Sequence, residues 1–296
     1  MADNQPDVST DVELRHTLDR QHIKLSYIIH FFFDQADTAA LDGLLDLYRS
    51  YDRRLLEQIE FILIDDCSSL PVSIDLNGFN AIHLRITDDI PWNQPGARNL
   101  GATYAAGPNL ILSDIDMAFP ETTLAYLVDF GSPKRSFYKF WRYDYERKLT
   151  HKPHSNVFFL SRATFFENFG YDEEYCGSHG GDDYRFVKFL KYQGVVQRKL
   201  PKRIYAFSRK AIDREKSYHS LNRDHTRNTP IDARKRSENR YLGGTYGHSR
   251  IFLNFRWELI QRQFLRPKEN PPVRKMWQRT WLLRQVRTLI SDFVRA

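Results

Sequence analysis

The sequence predicts an α/β domain built on a mostly parallel sheet. Three observations carry that prediction. Leu25–Phe33, Phe61–Ile64 and Leu110–Leu112 are largely apolar, β-rich runs, as expected of strands buried on both faces. Segments with helix-period apolar positions alternate with them. Acidic residues follow two of the runs, Asp65-Asp66 at once after the second and Asp114-Ile115-Asp116 one residue after the third. That is where open α/β sheets bind ligands, beyond the carboxyl ends of the strands.

The elements follow in order. Residues 1–24 form a polar lead-in, and 25–33 the first strand. Thr38–Tyr51 is a helix, with Leu41, Leu44, Leu45, Leu47 and Tyr48 on its apolar stripe. Phe61–Ile64 and Ala81–Ile86 are the next strands. Pro95–Ala106 is a helix opened by a Pro-Gly turn, Leu110–Leu112 a short strand and Thr122–Phe130 a helix. Asn156–Leu160 is a further strand and Ala163–Phe169 a short helix ended by Gly170. The Gly-rich stretch 170–181 then leads to a helix over Tyr184–Tyr192, with Asp182 and Asp183 at its N-terminus. There the helix dipole favours an ionised carboxylate. The catalytic body is expected to span 25–225 and a basic helical extension 226–296.

Composition narrows the function classes. Two cysteines, Cys67 and Cys176, exclude a disulfide-dense scaffold and a Cys-rich zinc module. No apolar run is long enough to span a bilayer, and the polar, acidic N-terminus is unlike a secretory signal. The expected compartment is the cytoplasm. Net charge is +7 but unevenly placed: residues 1–197 hold 19 Lys/Arg against 29 Asp/Glu, and residues 198–296 hold 25 against 8. The basic end suggests an anionic partner. Within it, residues 271–296 place Leu282, Val286, Leu289, Ile290 and Phe293 at helical spacing beside Arg279, Arg284, Arg287 and Arg295, with Trp277 and Trp281 near the start. Such a helix fits peripheral attachment to the inner face of the cytoplasmic membrane. Docking on the body or on a second copy in a homo-oligomer is the other reading.

Several residue groups carry chemistry. Asp114 and Asp116 project to one side of an extended segment and could hold a divalent cation with a diphosphate. Asp65 and Asp66 could accept hydrogen bonds from a nucleobase or ribose, or cap a helix. Arg98 could clamp a diphosphate through its planar fork, or form a helix salt bridge. Asp182 and Asp183 could act as general base and acceptor-orienting group, or as helix caps. His219 or His225 could complete a metal site with Asp116. Each is weak alone.

Their order is the stronger signal. Asp65-Asp66-x-Ser68 precedes Asn93-x-x-Gly96-Ala97-Arg98-Asn99-x-Gly101. Asp114-x-Asp116, Asn156 and Gly170-Tyr171-Asp172-Glu173 follow, leading to Gly180-Gly181-Asp182-Asp183. This resembles the family 2 type of GT-A glycosyltransferases over roughly residues 25–225. The 170–183 stretch also resembles the galactosyltransferase and N-acetylgalactosaminyltransferase group. The resemblance implies a Rossmann-like mixed sheet flanked by helices. It implies inverting transfer of a hexosyl or N-acetylhexosaminyl group from a UDP-sugar, with Mn²⁺ or Mg²⁺, to a glycan or lipid-linked hydroxyl, as in cell-envelope or capsular polysaccharide synthesis. Asp65, Asp66, Arg98, Asn99 and Asp114 would then bind the nucleotide-sugar. Asp116 and His219 would ligate the metal. Asp183 would be the base, Asp182 would hold hydroxyls, and His179 and Asn156 would meet the acceptor. His179 stands where that group often has Trp, and Asp182 where it has Glu. The alternative is a non-catalytic nucleotide- or nucleic-acid-binding protein with a basic C-terminal region.

Overall fold

The computed structural model describes residues 20–209 and 219–265. The start of the lead-in and the amphipathic segment expected at 271–296 lie outside the described residues.

β1 (Leu25–Phe31) sends Tyr27, Ile29 and Phe31 into one core and Ile28 into the other, so both its faces are covered. α1 (Ala39–Arg49) lays Leu41, Leu44, Leu45 and Tyr48 on the first core. The one-turn α2 (Arg53–Leu56), capped by the Asp52 side chain, leads to β2 (Ile59–Asp66), which is buried at every position. After β3 (Asn80–Ile86), α3 (Gln94–Tyr104) starts with a proline in its first turn. It packs closely on the sheet: a Cβ at Gly101 would lie 2.4 Å from Ile28 Cγ2. β4 (Asn109–Asp114), β5 (Met117–Ala118) and α4 (Glu121–Asp129) complete the first half.

Three strands that the sequence pattern did not reveal follow, β6 (Ser136–Lys139), β7 (Trp141–Asp144) and β8 (Leu149–His151). Then come β9 (Phe158–Ser161), α5 (Arg162–Glu167), a 3₁₀ turn at Glu173–Tyr175 and α6 (Asp182–Tyr192). The described chain ends with β10 (Val196–Lys199), β11 (Tyr205–Ser208), α7 (Asn228–Leu242) and β12 (Trp257–Gln263).

The main sheet has eight strands in the order β10-β6-β9-β4-β1-β2-β3-β12. β3, β2, β1 and β4 run parallel in its centre, while β9 and β12 pair antiparallel on either side of them. A second sheet is ordered β5-β11-β7-β8. The expected mixed α/β sheet flanked by helices is thus present. The body does not stop at residue 225, however, because β12 hydrogen-bonds along β3 and closes one edge of the main sheet. Among the described residues, no helix is long and apolar enough to cross a membrane.

Candidate active site

The carboxyl ends of β1, β2 and β4 and the first turn of α6 face one cavity of about 450 Å³. Asp66, Asp114, Asn156, His179, Asp182, Asp183 and His219 all line it, so residues far apart in sequence meet there. Four residues assigned from the sequence, Arg98, Asn99, Asp65 and Asp116, come out differently.

Arg98 does not present its guanidinium to the cavity. It is fully buried on α3, where Nη1 donates to Tyr171 Oη (2.5 Å) and Asp183 Oδ1 (2.6 Å). Its Nη2 donates to Asp114 Oδ1 (2.7 Å) and the Asn156 carbonyl (2.9 Å). Burial opposes the charge, but Tyr171, Asp183 and Asp114 outweigh it and hold the pKa above the ordinary arginine value. Arg98 is therefore the hub that fixes two cavity carboxylates, not a free phosphate clamp.

Asn99 also faces inward. Its Nδ2 donates to the Tyr171 carbonyl and Glu173 Oε1, and its Oδ1 accepts from Tyr171 N–H. These bonds tie the 171–173 segment to α3. Asp65 is likewise committed: Oδ1 accepts from Ser68 N–H at 2.7 Å and Oδ2 from Arg85 Nη1 at 2.5 Å. Asp65 and Asp66 are consecutive on a strand, so their side chains take opposite faces. Only Asp66 lines the cavity, and burial pushes its pKa up to about 8.

The D-x-D pair divides for a related reason. β4 ends at Asp114, and residues 115 and 116 already belong to a turn. The wall includes Asp114 and Ile115 but not Asp116, whose carbonyl accepts from Arg209 N–H at 2.9 Å. Among the described residues no three His, Cys, Asp or Glu side chains cluster as a metal site. That donor set still suits a hard cation carried by a diphosphate, which needs only one or two protein carboxylates besides phosphate oxygens.

The loop before α6 is shaped by glycine. Gly177, Gly180 and Gly181 have φ of 92°, 86° and 92°, in the left-handed region that side chains avoid. A Cβ on Gly180 would meet the His225 ring at 2.4 Å. Asn228 pins this loop, donating to the carbonyls of Tyr175, Ser178 and Gly180. His179 and His219 flank Trp92, with ring centroids 4.4 and 4.7 Å away. Burial lowers the pKa of both histidines, which favours neutral rings. Trp92 itself has φ 54° and donates from Nε1 to the Asn222 carbonyl at 2.8 Å. A non-glycine residue held in that region is a strained element of the wall.

Several residues on the wall or directly behind it had no assigned role in the sequence. Gln94 donates to both Asp182 and Asp183, and Tyr171 donates to Asp183. Tyr171 belongs to a quoted motif and Gln94 follows Asn93 in another, so their position was available though their partners were not. His30, from the end of β1, is held neutral by burial, which pulls its pKa down to about 3. Lys139 and Arg223 supply cationic groups to the wall. No local pattern marks these three.

No protein-family model matches the sequence, and no curated protein does. Solved structures give distant likenesses. One is the Pyrobaculum calidifontis mannosyltransferase PcManGT, in complex with GDP-Man and Mn²⁺: 14% identity, TM-score 0.45, covering 68% of this chain and 64% of that one. Another is the catalytic domain of Drosophila β1,4-galactosyltransferase 7 with xylobiose: 11% identity, TM-score 0.46, 70% and 79% covered. A third is S. aureus TarS, with 17% identity, TM-score 0.46, and 63% and 60% covered. The chain therefore spans less than two thirds of the length of the first and third.

Proposed function

We propose that the protein is a GT-A-type glycosyltransferase that moves a hexosyl or N-acetylhexosaminyl group from a UDP-sugar to a hydroxyl of a glycan or lipid-linked acceptor, with inversion. The observation that carries the reading is the convergence of Asp66, Asp114, Asp182 and Asp183 on one cavity at the carboxyl end of a parallel sheet. An α/β sheet binds nucleotides at that end. Carboxylates from four separate places suit donor hydroxyls, a cation and a proton to be removed. A nucleic-acid-binding module would gain nothing from such an acidic wall.

In this reading Asp66 meets the nucleoside and Asp114 the ribose or sugar hydroxyls. A Mn²⁺ or Mg²⁺ would be held by Asp114 on the wall, with Asp116 and His219 as further ligands once the Asp116 side chain turns toward the cavity. When bound, the cation would neutralise charge developing on the leaving diphosphate. His179, Asn156 and the face of Trp92 would receive the acceptor. The Asp182-Asp183 pair would take the acceptor's proton as its oxygen attacks the anomeric carbon. The glycine loop and His219 wall would keep water away, which favours transfer over hydrolysis. Peripheral attachment through 271–296 to the inner face of the cytoplasmic membrane, in service of envelope or capsular polysaccharide synthesis, belongs to the same proposal.

The test is a screen of UDP-sugars for divalent-cation-dependent release of UDP. Asp116→Ala should abolish release while circular dichroism still reports a folded protein. Full activity in excess chelator would remove the metal from the scheme. No release from any UDP- or GDP-sugar, with or without sugar acceptors, would refute the enzyme reading.

A further inference from the structure

On one side the acidic cavity borders a basic surface. β10 and β6 form that edge of the main sheet, and α6 leads into β10. Residues 133–143 hold four Lys/Arg and residues 184–203 hold seven, and neither stretch contains an Asp or Glu. Lys139, the last residue of β6, lines the cavity. It stands directly opposite Lys199 in the parallel β6–β10 pair, so the two side chains take one face of the sheet. Lys188 and Lys191 on α6 and Lys202 after β10 are exposed. Among the described residues, the lysine ion pairs are those of Lys235 on α7, and none of these five lysines makes one. Lys139 Nζ donates to the Ser155 carbonyl at 3.1 Å instead. Burial lowers its pKa, against the pull of Asp183 and with the help of Lys191. Like charges opposite each other on paired strands repel, and a bound anion would relieve that cost.

Aromatic rings sit among these cations. Lys199 and Lys202 lie 6.0 and 5.8 Å from the Trp141 ring centroid, and Lys188 lies 5.4 Å from that of Tyr184. Trp141 Nε1 donates to the Leu200 carbonyl at 2.8 Å, which fixes its ring. Tyr184 is 55% exposed at the cavity wall. Aromatic faces suit the C–H faces of sugar rings, and the lysines between them suit acid groups.

The sheet order indicates which substrate meets this surface. Asp66 ends β2, Asp114 ends β4 and Lys139 ends β6. β6 lies four strand spacings from β2, on the far side of β4, so Lys139 is about 19 Å from Asp66. A nucleoside at Asp66 with its diphosphate at Asp114 leaves the transferred sugar and the acceptor on the Lys139 side.

We propose that the β6–β10 edge and α6 form a binding track for an anionic glycan acceptor, with Lys139 at the cavity and Lys199, Lys188, Lys191 and Lys202 along it. This rests on the glycosyl-transfer reading and goes beyond it by naming the acceptor's class, a saccharide chain that carries carboxylate or phosphate groups. Nucleic acid also binds where cations and aromatic rings alternate, but it gives no reason for the track to begin at the acceptor side of this cavity.

The experiment uses the full chain. Calorimetry compares an oligogalacturonate with its methyl ester, and phosphorylated dextran with dextran, so that each pair shares a backbone and differs in charge. The charged member of at least one pair should bind about tenfold tighter, and salt should erase the difference. The pair that shows it identifies the acid group. Lys139→Gln combined with Lys199→Gln should weaken that binding roughly 5- to 20-fold, the worth of two partly exposed ion pairs. Lys24→Gln combined with Arg53→Gln removes the same charge from exposed positions at the other end of the sheet, and should change binding less than about twofold. With whichever of UDP-glucose, UDP-galactose or UDP-N-acetylglucosamine is turned over, the double lysine variant should raise KM for the charged acceptor and leave the donor KM within about twofold. Equal binding of charged and neutral members in both pairs, or an equal loss in the Lys24 and Arg53 variant, overturns the proposal and leaves the transferase reading intact. So does a loss in the lysine variant confined to duplex DNA or to phosphatidylglycerol vesicles, which would assign the basic surface to nucleic acid or to a membrane. If no donor is turned over while glycan binding still depends on Lys139 and Lys199, the transferase reading falls and the anionic-glycan site stands.

Discussion

Removing the Arg98 guanidinium is the sharpest structural test of the site. Arg98 is fully buried and holds Asp114 and Asp183 through charge-assisted bonds of 2.7 and 2.6 Å. Arg98→Met roughly preserves the buried volume but strands both carboxylates, whose side chains are only 17% and 11% exposed. Removing one partner of a buried ion pair costs about 3–5 kcal/mol, because the remaining charge stays desolvated. At about 2–4 °C per kcal/mol for a chain of this class, the melting temperature should fall by about 6–20 °C. Calorimetry and urea unfolding would measure it. A double-mutant cycle isolates the pair: in an Asp183→Asn background, Arg98→Met should cost about 0.5–3 kcal/mol less than in the wild type. A loss under about 1 kcal/mol, or strict additivity in the cycle, would refute the hub role.

Other consequences can be measured independently. Asp66 has a folded pKa near 8 against an unfolded value near 3.8, so the native state holds its proton more tightly. The wild type should therefore lose stability relative to Asp66→Asn as pH rises from about 4 to about 8, and urea unfolding at both ends checks the sign. UDP affinity should weaken between about pH 7 and 9, where the nucleotide phosphates are already ionised, as Asp66 and Asp182 gain charge; calorimetry with Asp66→Asn should give a flatter profile. Gly101→Ala should cost about 1–3 kcal/mol by thermal unfolding, since its Cβ would press within 2.4 Å of Ile28. Deleting 271–296 should spare donor hydrolysis yet reduce binding to anionic liposomes, an effect that salt weakens in the wild type; unchanged liposome binding would refute the anchor.

The parts of this fold that could be read from sequence are those whose environment is uniform. β1, β2 and β4 are covered on both faces, so each carries a run of apolar residues that stands out. β7, β10 and β12 could not be read. Trp141–Asp144 is half-exposed throughout, Val196–Lys199 is exposed at every position, and Trp257–Gln263 lies on a sheet edge with most side chains in solvent. No alternation survives under those conditions, and the pairing that makes them strands is supplied by distant chain. The misplaced boundary at 225 has the same origin, because β12 becomes part of the body only through β3. At the site, residue type and order located the cavity wall but not side-chain direction. Asp65 and Asp66 cannot both face one side of a strand, and the same-side rule fails for Asp114 and Asp116 because the strand ends at the first of them.

The same geometry explains how an acidic wall can be compatible with an anionic donor. Four carboxylates, Asp66, Asp114, Asp182 and Asp183, face one cavity, and if all were fully charged they would repel a diphosphate. The fold reduces that charge in two ways. Arg98, inaccessible from the cavity, neutralises part of the charge on Asp114 and Asp183 from behind. Burial raises both Asp66 and Asp182 well above the ordinary carboxylate range, which lowers the charge that these two acids carry near neutral pH. An arginine projecting into the cavity would have bound phosphate directly but left these acids uncompensated. Placing it beneath the wall keeps hydrogen-bonding oxygens available to hydroxyls and to a cation while lowering the repulsion a diphosphate meets. The buried arginine and the raised carboxylate pKa values are thus two parts of one electrostatic arrangement, and the burial of Arg98 is what gives the acidic motif its chemistry.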